Sequence, residues 1–195
     1  MKEAKKSQYY VRNMVFTALF AALICVAAPF SIQAGPIPIS LATFAIYLTG
    51  AILGGKRGMA ATIVYIMLGA VGLPVFSGFR GGFGVLFGMT GGYIIGYIPL
   101  VLITGIFAEM NTKKINRAVV TVIGMILATA ALYTFGTIWF MIVSGNDLVT
   151  SLKTCVLMFI PGDAIKIVCV TALSVPLKAK LNRAMFGTDQ NNDRL

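Results

Sequence analysis

Six apolar segments with few internal charges dominate this sequence of 195 residues. A transmembrane helix needs about 20 mainly apolar residues to cross a hydrocarbon core about 30 Å thick. Hydrophobic residues make up 58% of the chain and charged residues 11%, against about 45–50% and about 25% in a soluble domain. The sequence therefore predicts an all-α integral membrane protein, a single domain over residues 1–195 with six transmembrane helices at roughly 14–33, 39–54, 58–76, 91–108, 118–143 and 154–177.

Lysine and arginine are concentrated in alternate connections between these segments. The first, third and fifth connections hold only Arg80 and Lys153, and Lys166 lies within a segment. The other basic residues lie at the two termini and in the second and fourth connections: Lys2, Lys5, Lys6, Arg12, Lys56, Arg57, Lys113, Lys114, Arg117, Lys178, Lys180, Arg183 and Arg194. Short loops rich in Lys and Arg stay in the cytoplasm, so both termini are predicted to be cytoplasmic in a multi-pass protein of the cell membrane.

This topology explains most of the net charge of +10. A nucleic-acid-binding protein would need its basic residues on one ordered surface beside aromatic side chains. The basic residues of this chain are instead scattered over short loops and termini. We therefore expect the lipid bilayer, and no nucleic acid, as a partner.

The inventory of reactive residues disfavours an enzyme. The chain has no His, and Cys25, Cys155 and Cys169 are too widely spaced for a zinc site. Residues 50–56 fit the phosphate-loop pattern, but Arg57 stands where a Ser or Thr must hold magnesium. We expect no metal, no cofactor and no ATP hydrolysis by this chain alone.

Two charged residues lie within the sixth segment. Asp163 and Lys166 are three residues apart and share a helix face, and Pro161 is expected to bend the helix just before them. Ionisable groups inside a membrane are costly and normally face a partner or a wet cavity. The pair is either a functional site or a mutually neutralising pair that only packs helices.

The third connection is unusually rich in glycine. Residues 72–84 and 88–93 include Arg80, the only charge among them. Glycine allows backbone to approach a ligand closely, and the guanidinium matches a carboxylate. A flexible loop with one solvated arginine is the alternative. Glycines also recur every four residues from Gly84 to Gly96, a pattern more typical of close helix packing.

Ala18 and Ala22 form a stripe of small residues on the first predicted helix. Such a stripe lets another helix approach closely. Packing within the same chain would explain it equally well.

These motifs together resemble the BioY family, the biotin-specific substrate-binding (S) component of energy-coupling factor (ECF) vitamin transporters. The resemblance covers roughly residues 14–177 and rests on Gly-Pro-Ile-Pro-Ile at 35–39, Gly-Leu-Pro-Val-Phe at 72–76, the Arg80 loop, Gly-Met-Thr-Gly-Gly-Tyr at 88–93 and Pro-Gly-Asp-Ala-Ile-Lys at 161–166. One departure removes a side-chain amide that could contact a ligand, because Ala42 stands where the family has Gln.

The resemblance implies a prokaryotic six-helix membrane protein with a biotin pocket near the outer surface. Asp163 and Lys166 match the sixth-helix polar pair of the family, Arg80 its glycine-loop polar position, and Tyr93 a fourth-helix contact. Ala18 and Ala22 resemble the signature that docks onto the ECF transmembrane coupling protein. That protein joins two ABC-type ATPase subunits, which would supply the ATP hydrolysis.

Biotin offers a carboxylate, a ureido ring and an apolar bicyclic body. We expect Asp163 to accept a ureido N–H and either Lys166 or Arg80 to meet the carboxylate. Phe79, Phe83 and Tyr93 are candidate walls or lid, with Gly81 and Gly82 in the same binding loop.

Three alternatives remain open at this stage. The chain could bind another small vitamin, which a panel of vitamins would reveal. It could be a stand-alone proton-coupled carrier that uses Asp163 as its relay. It could also be a small intramembrane enzyme, although a single membrane carboxylate offers no acid–base pair.

Overall fold

The computed structural model describes residues 2–33, 36–110 and 116–186. The described chain is largely helical: α1 Lys2–Ala27, α2 Ala42–Leu53, α3 Gly55–Ala70, α4 Phe83–Phe87, α5 Gly91–Glu109, α6 Arg117–Ser144, α7 Leu148–Leu152, a π-helical turn Lys153–Leu157 and α8 Ile160–Phe186. Strands β1 (Ser31–Ile32) and β2 (Ile39–Ser40) pair antiparallel between α1 and α2. Gly35 of the first family motif and the predicted cytoplasmic residues Lys113, Lys114 and Arg194 lie outside the described residues.

Four segments of the described chain are long and apolar enough to cross a membrane: Tyr10–Ala27, Gly91–Glu109, Arg117–Ser144 and Leu148–Lys178. They coincide with the first, fourth, fifth and sixth predicted segments. The second and third form shorter helices, α2 of 12 residues and α3 of 16, which are about 18 and 24 Å long at 1.5 Å per residue. The prediction of a helical, multi-pass membrane protein is confirmed, with four segments long enough to span a membrane and the two shorter helices α2 and α3 in the described chain.

Several helices end before the apolar segments do. The segment at 14–33 is helical only to Ala27, since Pro29 disfavours helix in the residue before it, and the rest leads into β1. The segment at 58–76 leaves the helix after Ala70, where Gly72 adopts a φ of 105°. Apolar residues beyond Gly72 therefore fold into a loop, a distinction that hydropathy alone cannot make.

The sixth segment is interrupted rather than continuous. A π-helical turn and a two-residue turn at 158–159 precede α8. Pro161 lies in the first turn of α8, where its missing N–H leaves no helical hydrogen bond unmade. The interruption at 153–159 therefore comes shortly before Pro161 and Gly162, the residues at which the sequence predicts a bend.

The glycine repeat is used partly for packing. A Cβ at Gly92 would collide with Trp139 of α6, and one at Gly96 would approach Leu132 Cδ1 to 2.9 Å. A Cβ at Gly84 would meet open space. The C-terminal half of the repeat therefore brings α5 close to α6, as small residues do in membrane helices.

Candidate ligand-binding site

One cavity contains both charged side chains of the sixth predicted segment, together with several hydroxyl groups. It lies among the β1–β2 hairpin, α2, the loop that follows α3, α5, α6 and α8. Its polar lining comprises Ser40, Thr43, Ser77, Arg80, Thr90, Asp163 and Lys166, and its aromatic lining Tyr65, Phe76, Tyr93, Tyr97, Tyr133 and Phe159. Apolar walls with a few convergent polar groups are the usual construction of a small-molecule site.

Lys166 has no free N–H in this arrangement. Its ammonium donates to the Ser40 carbonyl at 2.9 Å, to Thr43 Oγ1 at 2.8 Å and to Asp163 Oδ1 at 3.0 Å. A lysine ammonium has three N–H donors, so protein acceptors occupy all of them. The ion pair is well shielded, with side-chain exposures of 12% for Lys166 and 5% for Asp163.

Asp163 retains one acceptor position. Its Oδ1 accepts from Lys166 and, at 3.4 Å, from the Thr43 hydroxyl, while its Oδ2 accepts from the Tyr133 hydroxyl at 2.7 Å. A carboxylate offers about four lone-pair sites. One lone pair on Oδ2 is therefore left for a ligand N–H or O–H donor.

Arg80 lies on the cavity wall in a tight turn of the glycine-rich loop. Phe76 and Arg80 exchange backbone hydrogen bonds at 2.8 and 3.3 Å, and Phe79 between them has a positive φ of 56°. Arg80 Nε donates to the Ser77 carbonyl at 3.2 Å. Within the described residues no further hydrogen bond is recorded for this exposed guanidinium. Arg80, unlike Lys166, retains donors for an anion.

Four other predicted site residues do not line the cavity. Phe79 and Phe83 are 61% and 63% exposed, and Phe79 packs edge-on against Phe30 with ring centroids 5.6 Å apart. A Cβ at Gly81 would collide with the Leu73 carbonyl, and the Gly82 N–H donates to the Gly69 carbonyl at 2.7 Å. These glycines allow the loop backbone to pack on itself.

Tyr93 lines the cavity, and its hydroxyl is already bonded within the chain. It donates to the Cys155 carbonyl in the π-helical turn at 3.0 Å. Its ring stacks on Phe159 with centroids 6.2 Å apart. Tyr93 therefore contributes an apolar ring to the wall.

Sequence reasoning missed the residues that complete the polar network. Ser40 and Thr43 lie on either side of Leu41 and Ala42, in the stretch where this sequence departs from the family motif. Tyr133 is the only tyrosine in the predicted segment 118–143, but four threonines in that segment also carry hydroxyls, so the local sequence does not single it out. No group of three potential metal ligands occurs in the described part of the chain.

The small-residue stripe lies on an outer face of the molecule. Ala18 and Ala22 are both exposed on α1, whereas Phe20, Ala21 and Ile24 on the same helix are buried. The stripe is therefore not used for packing within the described chain.

Comparison with known proteins identifies the family of this chain. The biotin transporter BioY of Thermotoga maritima is 34% identical over 168 residues, which cover 86% of this chain and 96% of that protein. The biotin transporter BioY of Rhodobacter capsulatus is 38% identical over 175 residues, covering 83% and 90%. A crystal structure of the S-component for biotin from an ECF-type ABC transporter is similar with a TM-score of 0.78 at 28% identity, over 87% of this chain and 92% of that chain. The sequence matches the BioY family over residues 1–183, and this chain therefore belongs to the BioY family.

Proposed function

We propose that this chain is the biotin-binding membrane component of an ECF-type ABC uptake transporter. The observation that carries the proposal is a single cavity with one free carboxylate acceptor at Asp163 and one arginine with free donors at Arg80, between aromatic walls. Biotin presents the complementary groups, a ureido N–H, a carboxylate and an apolar bicyclic body. The relatives named biotin transporters support the same ligand.

The hydrogen-bond count supports one orientation of the ligand. Asp163 Oδ2 accepts a ureido N–H with its remaining lone pair. Arg80 meets the carboxylate, because Lys166 would have to give up a protein acceptor to do so. Lys166 instead holds Asp163 and Thr43 in place.

The chain crosses the membrane six times, through α1, α2, α3, α5, α6 and the segment that contains α7 and α8. Both termini face the cytoplasm of a prokaryotic cell. The concentration of Lys and Arg in the termini and in the second and fourth connections supports this orientation. Arg80 then lies on the outer side, where it can meet an external ligand.

The chain binds substrate and catalyses no reaction. Its exposed stripe of Ala18 and Ala22 docks onto the transmembrane coupling protein. Two ABC-type ATPase subunits bound to that protein hydrolyse ATP. The absence of His and of a complete phosphate loop from the sequence supports this division of labour.

The first test is to identify what the protein binds. Small molecules that co-purify with detergent-solubilised protein are identified by mass spectrometry, and dissociation constants are measured for a panel of vitamins. Biotin is expected to co-purify and to bind more tightly than any other vitamin. Another preferred vitamin would refute the assignment of the ligand. Uptake by the chain alone in vesicles, abolished by dissipating a proton gradient, would favour a carrier.

The second test concerns the residues. Asp163→Asn and Lys166→Ala are each expected to weaken biotin binding, the first by removing the charged acceptor and the second by freeing the carboxylate. Asp147→Asn is the matched control, since Asp147 is an exposed residue that caps α7 away from the cavity. Thermal unfolding of each variant in detergent separates lost binding from lost folding. Unchanged biotin affinity in both folded variants would refute the assignment of Asp163 and Lys166 to the binding site.

A further inference from the structure

Tyr133 joins two helices at the ligand-binding site. It lies on α6, and its hydroxyl donates to Asp163 Oδ2 on α8 at 2.7 Å. The side chain is partly buried. Lys166 and Thr43 both contact Oδ1, so Tyr133 is the described donor to the oxygen that retains a lone pair for a ligand.

The same contact separates the cavity from an apolar groove on the outside of the bundle. The groove runs between α6 and α8 and is lined by Ile126, Ala130, Ile160 and Ile167 among others. Tyr133 and Asp163 line both the groove and the cavity. An unpaired carboxylate oxygen beside an apolar, membrane-facing groove is costly, because lipid supplies no hydrogen bonds.

We propose that Tyr133 is a positioning residue for ligand binding, which fixes the Asp163 carboxylate so that one lone pair of Oδ2 remains available to the ligand. This inference rests on the proposed role of Asp163 as the ligand acceptor. The torsion that turns a carboxylate is broad, and its two oxygens turn together. The contacts at Oδ1, one of them 3.4 Å long, leave a range of this torsion open, and a bond at Oδ2 narrows it. The phenolic hydroxyl restricts this rotation and satisfies the lone pair that would otherwise face the groove.

Replacement of the hydroxyl alone tests the proposal. Tyr133→Phe keeps the ring and removes the donor, and the biotin dissociation constant is expected to rise about 10-fold, the lower end of the range for one hydrogen bond to a charged group. Tyr47→Phe is the matched control. It removes a buried tyrosine hydroxyl, bonded to Thr129 at 2.6 Å, that does not line the cavity. The control is expected to change biotin affinity less than about 2-fold, since it leaves Asp163 bonded as before.

A double-mutant cycle distinguishes positioning from a direct or purely structural role. If Tyr133 acts through Asp163, Tyr133→Phe changes affinity less than about 2-fold in the Asp163→Asn background. An equal loss in both backgrounds would overturn the proposal, because Tyr133 would then act on the ligand or the fold independently. Unchanged affinity of Tyr133→Phe would also overturn it. If the wild-type protein does not bind biotin, the proposed function fails instead. If Asp163→Asn binds normally, the role of Asp163 as ligand acceptor fails, and the positioning role of Tyr133 fails with it.

A second substitution keeps the proposal testable if Tyr133→Phe does not fold. Incorporation of 3-fluorotyrosine at position 133 preserves the ring and the hydrogen bond while making the hydroxyl a stronger donor. Biotin affinity is expected to shift at least about 2-fold in the wild-type background and to stay constant in the Asp163→Asn background. The absence of any shift in the wild-type background would refute the role of the hydroxyl.

Discussion

Arg80 and Lys153 are the two basic residues predicted on the outer side of the membrane, and they provide a sharp test of how the ligand carboxylate is bound. Arg80 lines the cavity, whereas Lys153 is exposed and does not. Arg80→Ala and Lys153→Ala remove the same formal charge. Only the first is expected to weaken biotin binding.

The magnitude follows from the surroundings of the Arg80 guanidinium. A buried hydrogen bond to a charged group contributes about 1.5–3 kcal/mol, and an exposed ion pair about 0.2–1 kcal/mol. Arg80 is exposed to solvent yet lies on the cavity wall, so we expect an intermediate loss of about 1–2 kcal/mol. This corresponds to an increase of about 5- to 30-fold in the dissociation constant. Arg80→Lys keeps the charge but not the planar pair of donors, so it should recover part of the loss.

The assay is isothermal titration of the detergent-solubilised protein with biotin and with biotin methyl ester. The ester cannot form an ion pair, so its affinity for Arg80→Ala should be close to its affinity for the wild-type protein. The reasoning fails if Arg80→Ala weakens the acid and the ester equally, or if Lys153→Ala weakens biotin as much as Arg80→Ala does. A preference for the acid that disappears in Lys166→Ala but persists in Arg80→Ala would assign the carboxylate to Lys166.

Two further predictions concern helix packing and partner binding. Gly92→Ala places a Cβ against Trp139 and should destabilise the protein by about 1–3 kcal/mol, which is measured as a lower melting temperature in detergent. The control is Gly84→Ala, whose Cβ meets open space and should leave the melting temperature unchanged. Replacement of Ala18 and Ala22 together by Leu should abolish uptake in vesicles that contain the complete transporter while biotin affinity stays unchanged, because both residues are exposed and away from the cavity. Normal uptake by that double variant would exclude the stripe as the docking surface.

The candidate site was only partly predictable from the sequence. Asp163 and Lys166 could be found because charged residues are rare in membrane segments and a spacing of three places them on one helix face. Thr43 could not be assigned in this way, since it lies more than a hundred positions from both charged residues it contacts. The glycine-rich loop was recognisable, yet its path, with Arg80 at the cavity and Phe79 outside it, depends on backbone turns that composition does not specify.

The sequence by itself determined that this chain is a helical membrane protein and predicted which charged residues a ligand could meet, because these properties depend on local composition and on periodicity along one helix. The tertiary structure decided which of those charges remain available. It surrounds the Lys166 ammonium with three acceptors from the chain, leaves Asp163 one lone pair and leaves Arg80 its donors. The physical reason is that neighbours in space occupy the donors and acceptors of each group, and those neighbours come from β2, α2, α6 and α8, which are separate elements of the chain.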